Sequence, residues 1–136
     1  LDPAFFFPVM VEGWAYLEAG RYRDAIPLLE KARTMEAPPF VSAFLAFAYG
    51  ASGDRARAMS ELANLEKMSA DGMVLPFNMA LVNLGLGDHP RALDHLEQAW
   101  AADSQMMAWL GQDRIFDPLR GEPRFVALLT KLRLQR

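Results

Sequence analysis

The chain contains 136 residues, of which 52% are hydrophobic, and its formal net charge at pH 7 is −3. This length suits one ordinary domain with a continuous core, and the acidic balance argues against a nucleic-acid-binding surface spread over the whole domain. The absence of cysteine excludes disulfides, cysteine-based zinc sites and thiol catalysis.

The first predicted element is a helix–turn–helix unit at residues 13–32. Gly20 ends its first helix, because glycine enters the left-handed conformation without steric cost. Ile26, Leu29 and Ala32 recur every three residues and therefore share one face of the second helix. The pattern predicts two helices that pack against each other across a tight turn.

The turn of this unit occurs three times, each time as a glycine followed five residues later by an alanine. The glycines are Gly20, Gly53 and Gly87, so the units are 33 and 34 residues apart. A fixed period of this size is typical of arrays of helical repeats. The sequence therefore predicts an all-α fold and indicates a binding function without naming the partner.

Further positions recur in the same register within each unit. They are Val9, Glu12, Gly13, Tyr16, Gly20, Tyr22, Ala25, Leu29 and Ala32 in the first unit, Ser42, Leu45, Ala46, Tyr49, Gly53, Ala58 and Leu62 in the second, and Met79, Ala80, Gly87, Ala92, Leu96 and Ala99 in the third. This pattern resembles the tetratricopeptide repeat (TPR) family. The resemblance implies a right-handed α-solenoid of three repeats, at about residues 6–38, 39–72 and 73–103, within a single domain.

After residue 103 the pattern changes, and we expect segment 104–136 to cap the solenoid, because a terminal repeat needs an atypical, polar outer face. Ser104 is a candidate N-cap of a short helix, and Pro123 fits the first turn of the last helix. The sequence at 116–125 resembles the C-terminus of many bacterial TPR domains. The resemblance implies that this module is part of a larger bacterial regulatory or signalling protein.

At the other end, Leu1-Asp2-Pro3 fits the end of a preceding repeat in the family register. We therefore expect this domain to be the end of a longer array. A solenoid that is cut at this point exposes one face of its first helix. Phe5, Phe6 and Phe7 are predicted to lie at that face.

The search for catalytic or metal-binding groups yields no complete set. His89 and His95 do not have the spacing of a helical metal pair and are interpreted as surface residues. Asp113 and Asp117 form the best carboxylate pair, but Asp117 precedes a proline and is explained more simply as a turn or cap residue. We therefore predict no enzymatic activity, no metal and no cofactor.

Basic residues cluster in the tail, which leaves two interpretations. They are Arg114, Arg120, Arg124, Lys131, Arg133 and Arg136. One interpretation is a patch for nucleic acid or anionic lipid, and the other is a solvated capping helix whose C-terminal cations suit the helix dipole. We favour the second, because no aromatic residues are interleaved for base stacking.

The most apolar run, residues 40–51, is too short for a bilayer, which takes roughly 20 residues. The expected domain is thus cytoplasmic, with no nucleic-acid or membrane partner.

The TPR resemblance implies a concave groove lined by the first helix of each repeat. The residues carried over to this groove are Phe7, Met10, Trp14 and Leu17 in the first repeat, Phe40 and Phe47 in the second, and Val74, Phe77 and Leu81 in the third. Because this set carries no charge, the groove is predicted to bind an apolar or amphipathic peptide or helix of a partner protein. Asn78 is the only amide side chain at the positions with which other TPR domains bind a terminal carboxylate, and no cation accompanies it. Because a carboxylate would be desolvated there without a cation, acidic C-termini are not expected as ligands.

Two alternatives to this groove stay open at the level of sequence. A helix that is apolar on all sides is normally interior, so Phe7, Trp14, Phe47 and Phe77 are equally compatible with a core position. The second alternative is self-association, as a homodimer formed through the groove or through the aromatic N-terminal end. Trp14, Phe47 and Phe77 are the predicted anchors if the groove binds a partner.

Overall fold

A computed structural model describes residues 3–35, 39–72, 74–102 and 114–134. The predicted all-α solenoid is confirmed, and these residues form seven α-helices and one 3₁₀-helix. The α-helices are α1 (Pro3–Glu18), α2 (Tyr22–Arg33), α3 (Pro39–Ala51), α4 (Arg55–Ala70), α5 (Pro76–Gly85), α6 (His89–Ala102) and α7 (Pro123–Leu134), and the 3₁₀-helix is Arg114–Leu119. The expected short helix after Ser104 falls outside the described residues.

The first six helices pair as three hairpins with the same kind of turn. Gly20, Gly53 and Gly87 all have positive φ, at 74°, 96° and 78°, as the glycine pattern predicts. The residue after each glycine donates its backbone N–H to a carbonyl five residues earlier, which closes the helix end. The sequence therefore places each hairpin turn correctly.

Neighbouring hairpins stack because the second helix of one hairpin packs on the first helix of the next hairpin. Helix α2 packs on α3, α4 packs on α5, and α3 and α5 lie side by side. Leu29 and Leu45 are fully buried in the main core cluster, and a Cβ on Gly13 would lie 3.1 Å from Leu29 Cδ2. Close approach within the first hairpin thus depends on a small residue at position 13.

The C-terminal segment returns across this stack. The 3₁₀-helix contacts α1, and α7 packs on α6. The Arg124 guanidinium joins α7 to α6, because its Nη2 lies 2.6 Å from Asp94 Oδ1 and it also donates to Glu97. Segment 114–134 therefore closes the α6 end and also reaches the first hairpin. Within the described residues, no helix is long and apolar enough to cross a bilayer.

Candidate protein-binding surface

The structure separates the nine predicted groove residues into two groups. Six of them are buried, namely Met10, Leu17, Phe47, Val74, Phe77 and Leu81. Phe7 is 57% exposed, and Trp14 and Phe40 are half-buried. Val74 also precedes α5 in the chain and does not lie on a helix. The accessible part of the predicted set is therefore confined to α1 and the start of α3.

The chain's own 3₁₀-helix covers the buried members of the predicted groove set on α1, α3 and α5. We call these residues the groove floor, and they are Met10, Leu17, Phe47, Phe77 and Leu81. Ile115, Phe116 and Leu119 are buried in the same core cluster as the floor residues of α1, α3 and α5. The rings of Phe77 and Phe116 meet edge to face with centroids 5.8 Å apart. The backbone N–H of Arg114 also donates to Glu18 Oε2 of α1, at 3.3 Å. This segment thus occupies the space that the resemblance assigns to a ligand.

Displacing that segment would be costly. Exposing three large apolar side chains costs about 1.5–3 kcal/mol each, or roughly 5–9 kcal/mol together. This sum is comparable to the whole stability of an ordinary domain. In this conformation the floor residues of α1, α3 and α5 are therefore core. Val74 is buried separately, in a cluster with Leu62 and Leu65 of α4, and Asn78 is buried as well.

A cleft of about 520 Å³ remains beside the 3₁₀-helix. Its walls are the C-terminal ends of α1, α3 and α5 together with Arg114, Asp117 and Pro118. The Asp117 carboxylate already accepts from Arg120 Nε at 2.6 Å, and the cleft also contains the cationic Arg114. The charges in the cleft are thus mixed, and they select no one class of ligand.

A row of aromatic rings leads away from this closed floor. Ring centroids are 5.6 Å apart for Phe6 and Phe7, 6.4 Å for Phe6 and Phe40, 5.6 Å for Phe40 and Phe44, and 5.0 Å for Trp14 and Phe44. The row connects α1 to α3 and brings together the three accessible residues of the predicted set. Phe6, which was expected at the exposed face, is instead buried, because it points into the core between its neighbours.

The exposed residues of α1 lie on one side of this row. They are Ala4, Phe5, Phe7, Pro8, Val11, Glu12 and Ala15, and together with the exposed Ala19 directly after the helix they form the set that we call the α1 face. At 100° per residue they occupy an arc of about 160°. The half-buried Glu18 also falls within this arc, but its carboxylate accepts from the backbone N–H of Arg114. Phe5 and Val11 are 66% and 68% exposed, and Glu12 is the only charged member. Sequence reasoning named Phe5 and Phe7 here but missed Val11, which is one turn after Phe7 and could have been found by that spacing.

The histidines and the aspartate that the sequence analysis considered for metal binding or catalysis do not form a site in the described residues. His95 Nδ1 lies 3.2 Å from Gln98 Oε1, one turn along the same helix. His89 is half-buried at the first position of α6. Asp113 lies outside the described residues. In the part of the chain that the structure describes, no three His, Cys, Asp or Glu side chains come together as a possible metal site.

A polar cluster joins α2, α3 and α4. The Tyr49 hydroxyl donates to Glu30 Oε1 at 2.6 Å. Burial raises the pKa of Tyr49 to about 12, and the hydrogen bond to the Glu30 carboxylate adds to the shift. Arg33 of α2 forms an ion pair with Glu61 of α4, whose side chain is nearly buried. These bonds connect neighbouring hairpins, so the cluster is structural.

Three stacked hairpins with glycine turns and a closing C-terminal segment define an α-solenoid repeat protein. A family model described as tetratricopeptide repeat matches residues 77–98, which is most of the α5–α6 hairpin. The chain is thus related to the tetratricopeptide repeat family. Repeats of this family generally mediate protein–protein interaction and are typically not catalytic. Comparison with curated proteins and with solved structures found no match.

Proposed function

We propose that this chain is a non-catalytic protein-binding module, and that it binds an apolar or amphipathic partner segment through the α1 face. The observation that carries the proposal is the exposure of Phe5, Phe7 and Val11 on one side of a helix that is apolar almost throughout. A helix of this composition is normally covered on all sides. Here one side faces solvent.

The size of the exposed patch supports a binding role. Two aromatic rings and one valine at these exposures present on the order of 300 Å² of apolar surface. Monomeric proteins seldom expose larger contiguous patches, and patches of this size often mark interaction sites. Trp14 and Phe40 lie in the adjacent aromatic row and extend the patch toward α3.

The proposal keeps the predicted partner class but moves the binding site from the predicted groove to the α1 face and the adjacent aromatic row. Phe7, Trp14 and Phe40 remain candidate contact residues from the predicted groove set. The buried floor residues support the position of α1 and are not proposed to touch the partner. The resemblance of the tail at 116–125 to bacterial TPR domains supports a place in a cytoplasmic regulatory protein.

The test is selection of ligands from a displayed library of helix-forming peptides on the immobilised domain. Selected peptides are then measured against a variant that carries Phe7→Gln and Val11→Gln. Met59→Gln is the matched control, because Met59 is 45% exposed on α4 and lies outside the α1 face. We expect binding to be lost in the double variant and kept in the control. Equal binding to all three proteins, with unchanged helicity, would contradict the proposal.

A further inference from the structure

We propose that the natural occupant of the α1 face is a partner α-helix that packs on α1 as α2 packs on α3, and that places a lysine or arginine against Glu12. This inference rests on the proposed function and names its partner class. It is carried by the internal register of the three hairpins and by the single charge within the α1 face.

The register shows what these positions do elsewhere in the chain. Glu12 corresponds to Leu45 in α3 and to Met79 in α5, by the same spacing that relates the turn glycines. Leu45 is fully buried and Met79 is only 4% exposed. The equivalent of Ala15 in α3 is Ala48, which is also fully buried. Glu12 and Ala15 are thus exposed at positions that are buried on both α3 and α5, where Val82 is the buried equivalent of Ala15 on α5. The α3 equivalents of Phe7 and Val11 are Phe40 and Phe44, which are half-buried.

The cover is a helix in both cases. On α3, residues Leu45 and Ala48 share the main core cluster with Leu29 and Ala32 of α2. On α5, Met79 and Val82 pack in a second cluster with Leu62 and Leu65 of α4. Helices α3 and α5 are therefore each shielded by the second helix of the preceding hairpin. A helix of the same kind is the shape that fits the uncovered α1 face.

The charge at position 12 defines the chemistry of that helix. Within the residues that the structure describes, Glu12 has no ion-pair partner. A covering helix removes the carboxylate from water, and an unpaired buried carboxylate is unfavourable. A lysine or arginine on the partner would supply a charge-assisted hydrogen bond there. The apolar residues of the α1 face, Phe5, Pro8, Val11 and Ala15, would contact the partner's aliphatic side chains.

The same charge argues against a second copy as the occupant. Glu12 is the midpoint between Phe5 and Ala19, which lie toward opposite ends of the α1 face. A two-fold pairing of α1 with its copy, antiparallel and centred or parallel and in register, therefore sets Glu12 against Glu12. Like charges facing each other across an interface oppose association. A heterologous helix with a cation avoids this repulsion.

The experiment repeats the displayed-library selection on the wild type and on the Glu12→Lys variant. We expect peptides selected on the wild type to carry a lysine or arginine within an apolar helical stripe. Replacing that residue by glutamate should weaken binding to the wild type about tenfold and strengthen binding to Glu12→Lys, since a charged hydrogen bond is worth about one decade in affinity. Glu12→Gln is the matched neutral variant and should bind both peptides with intermediate affinity.

The outcomes separate this inference from the proposed function. Peptides that need Phe7 and Val11 but bind Glu12→Lys as tightly as the wild type would overturn the inference and leave the proposed function standing. Sedimentation over a wide range of concentration tests the second copy. A monomeric wild type supports the inference, and a dimer that the Phe7→Gln and Val11→Gln substitutions dissociate overturns it.

Discussion

Gly50 of α3 and Gly85 of α5 bring their two helices into backbone contact. A Cβ on Gly50 would lie 2.4 Å from the carbonyl oxygen of Gly85. A Cβ on Gly85 would lie 2.7 Å from Phe47 Cα. Non-bonded carbon–carbon and carbon–oxygen pairs do not come as close as these two distances, so glycine is required on each helix. Phe47, whose backbone makes this contact, belongs to the same core cluster as Ile115 and Phe116 of the 3₁₀-helix.

Gly85→Ala is therefore expected to destabilise the fold. Alanine favours helices over glycine by up to about 1 kcal/mol, so propensity alone predicts the opposite sign. The clash is with backbone atoms, which cannot rotate away, and overpacking of this kind costs about 1–3 kcal/mol. Denaturant unfolding measures the net effect. Gly121→Ala is the control, because a Cβ on Gly121 would meet no atom within 4 Å and the stability of this variant should stay within error. Equal stabilities for both variants would refute the contact.

Tyr49 makes the stability depend on alkaline pH. Its pKa is raised from 10 to about 12 by burial and by the bond to Glu30, so the folded state holds the phenolic proton more tightly than the unfolded state. The corresponding stabilisation is complete below pH 10 and is lost as pH rises through 12. Tyr49→Phe should be less stable than the wild type at pH 7, by about 1 kcal/mol for the lost bond.

Denaturant unfolding of both proteins at a series of pH values checks this prediction. The difference in unfolding free energy should shrink between pH 10 and 12, since only the wild type then loses a proton from a buried phenol. Other tyrosines and lysines titrate in both proteins and cancel in the difference. A difference that stays constant to pH 12 would mean that Tyr49 titrates normally.

The ion pair between Arg33 and Glu61 predicts a non-additive pair of substitutions. Arg33→Met leaves the nearly buried Glu61 carboxylate without its cation. We expect this to cost about 1–3 kcal/mol, because the Arg33 side chain is itself 42% exposed and the pair is only partly buried. The double variant with Glu61→Leu removes both charges and should recover most of that loss. Denaturant unfolding of the single and double variants gives the coupling. If the double variant is the less stable of the two, Glu61 is already well solvated.

The turns and the order of helices follow from local sequence, which is why they could be predicted. Gly20, Gly53 and Gly87 need positive φ for reasons that lie within a few residues of each position. Helix α5 begins at Pro76, because proline is accepted in the first turn of a helix. Pro123 likewise begins α7. Each of these signals acts through the backbone of its own segment.

The accessible surface could not be predicted in the same way, because it depends on distant contacts. Leu17 and Phe47 would be apolar helical residues whether they lined a groove or lay in the core. The sequence therefore does not distinguish these two positions. What buries them is Ile115 and its neighbours, which are nearly a hundred residues away from α1 in the chain. Val11 could have been found from its spacing to Phe7, whereas Glu12 became informative only when the burial of its equivalents Leu45 and Met79 was known.

Phe116→Ala tests whether the 3₁₀-helix is an integral part of the core. Phe116 is 1% exposed and stacks on Phe125 with ring centroids 6.2 Å apart. Removing a buried phenylalanine costs about 3–5 kcal/mol. Phe7→Ala is the matched control, because a phenylalanine that is largely exposed should change stability by no more than about 0.5 kcal/mol. Thermal and denaturant unfolding compare the two variants. Should Phe116→Ala be as stable as Phe7→Ala, the 3₁₀-helix would be only loosely held, and the groove floor would again be open to a partner.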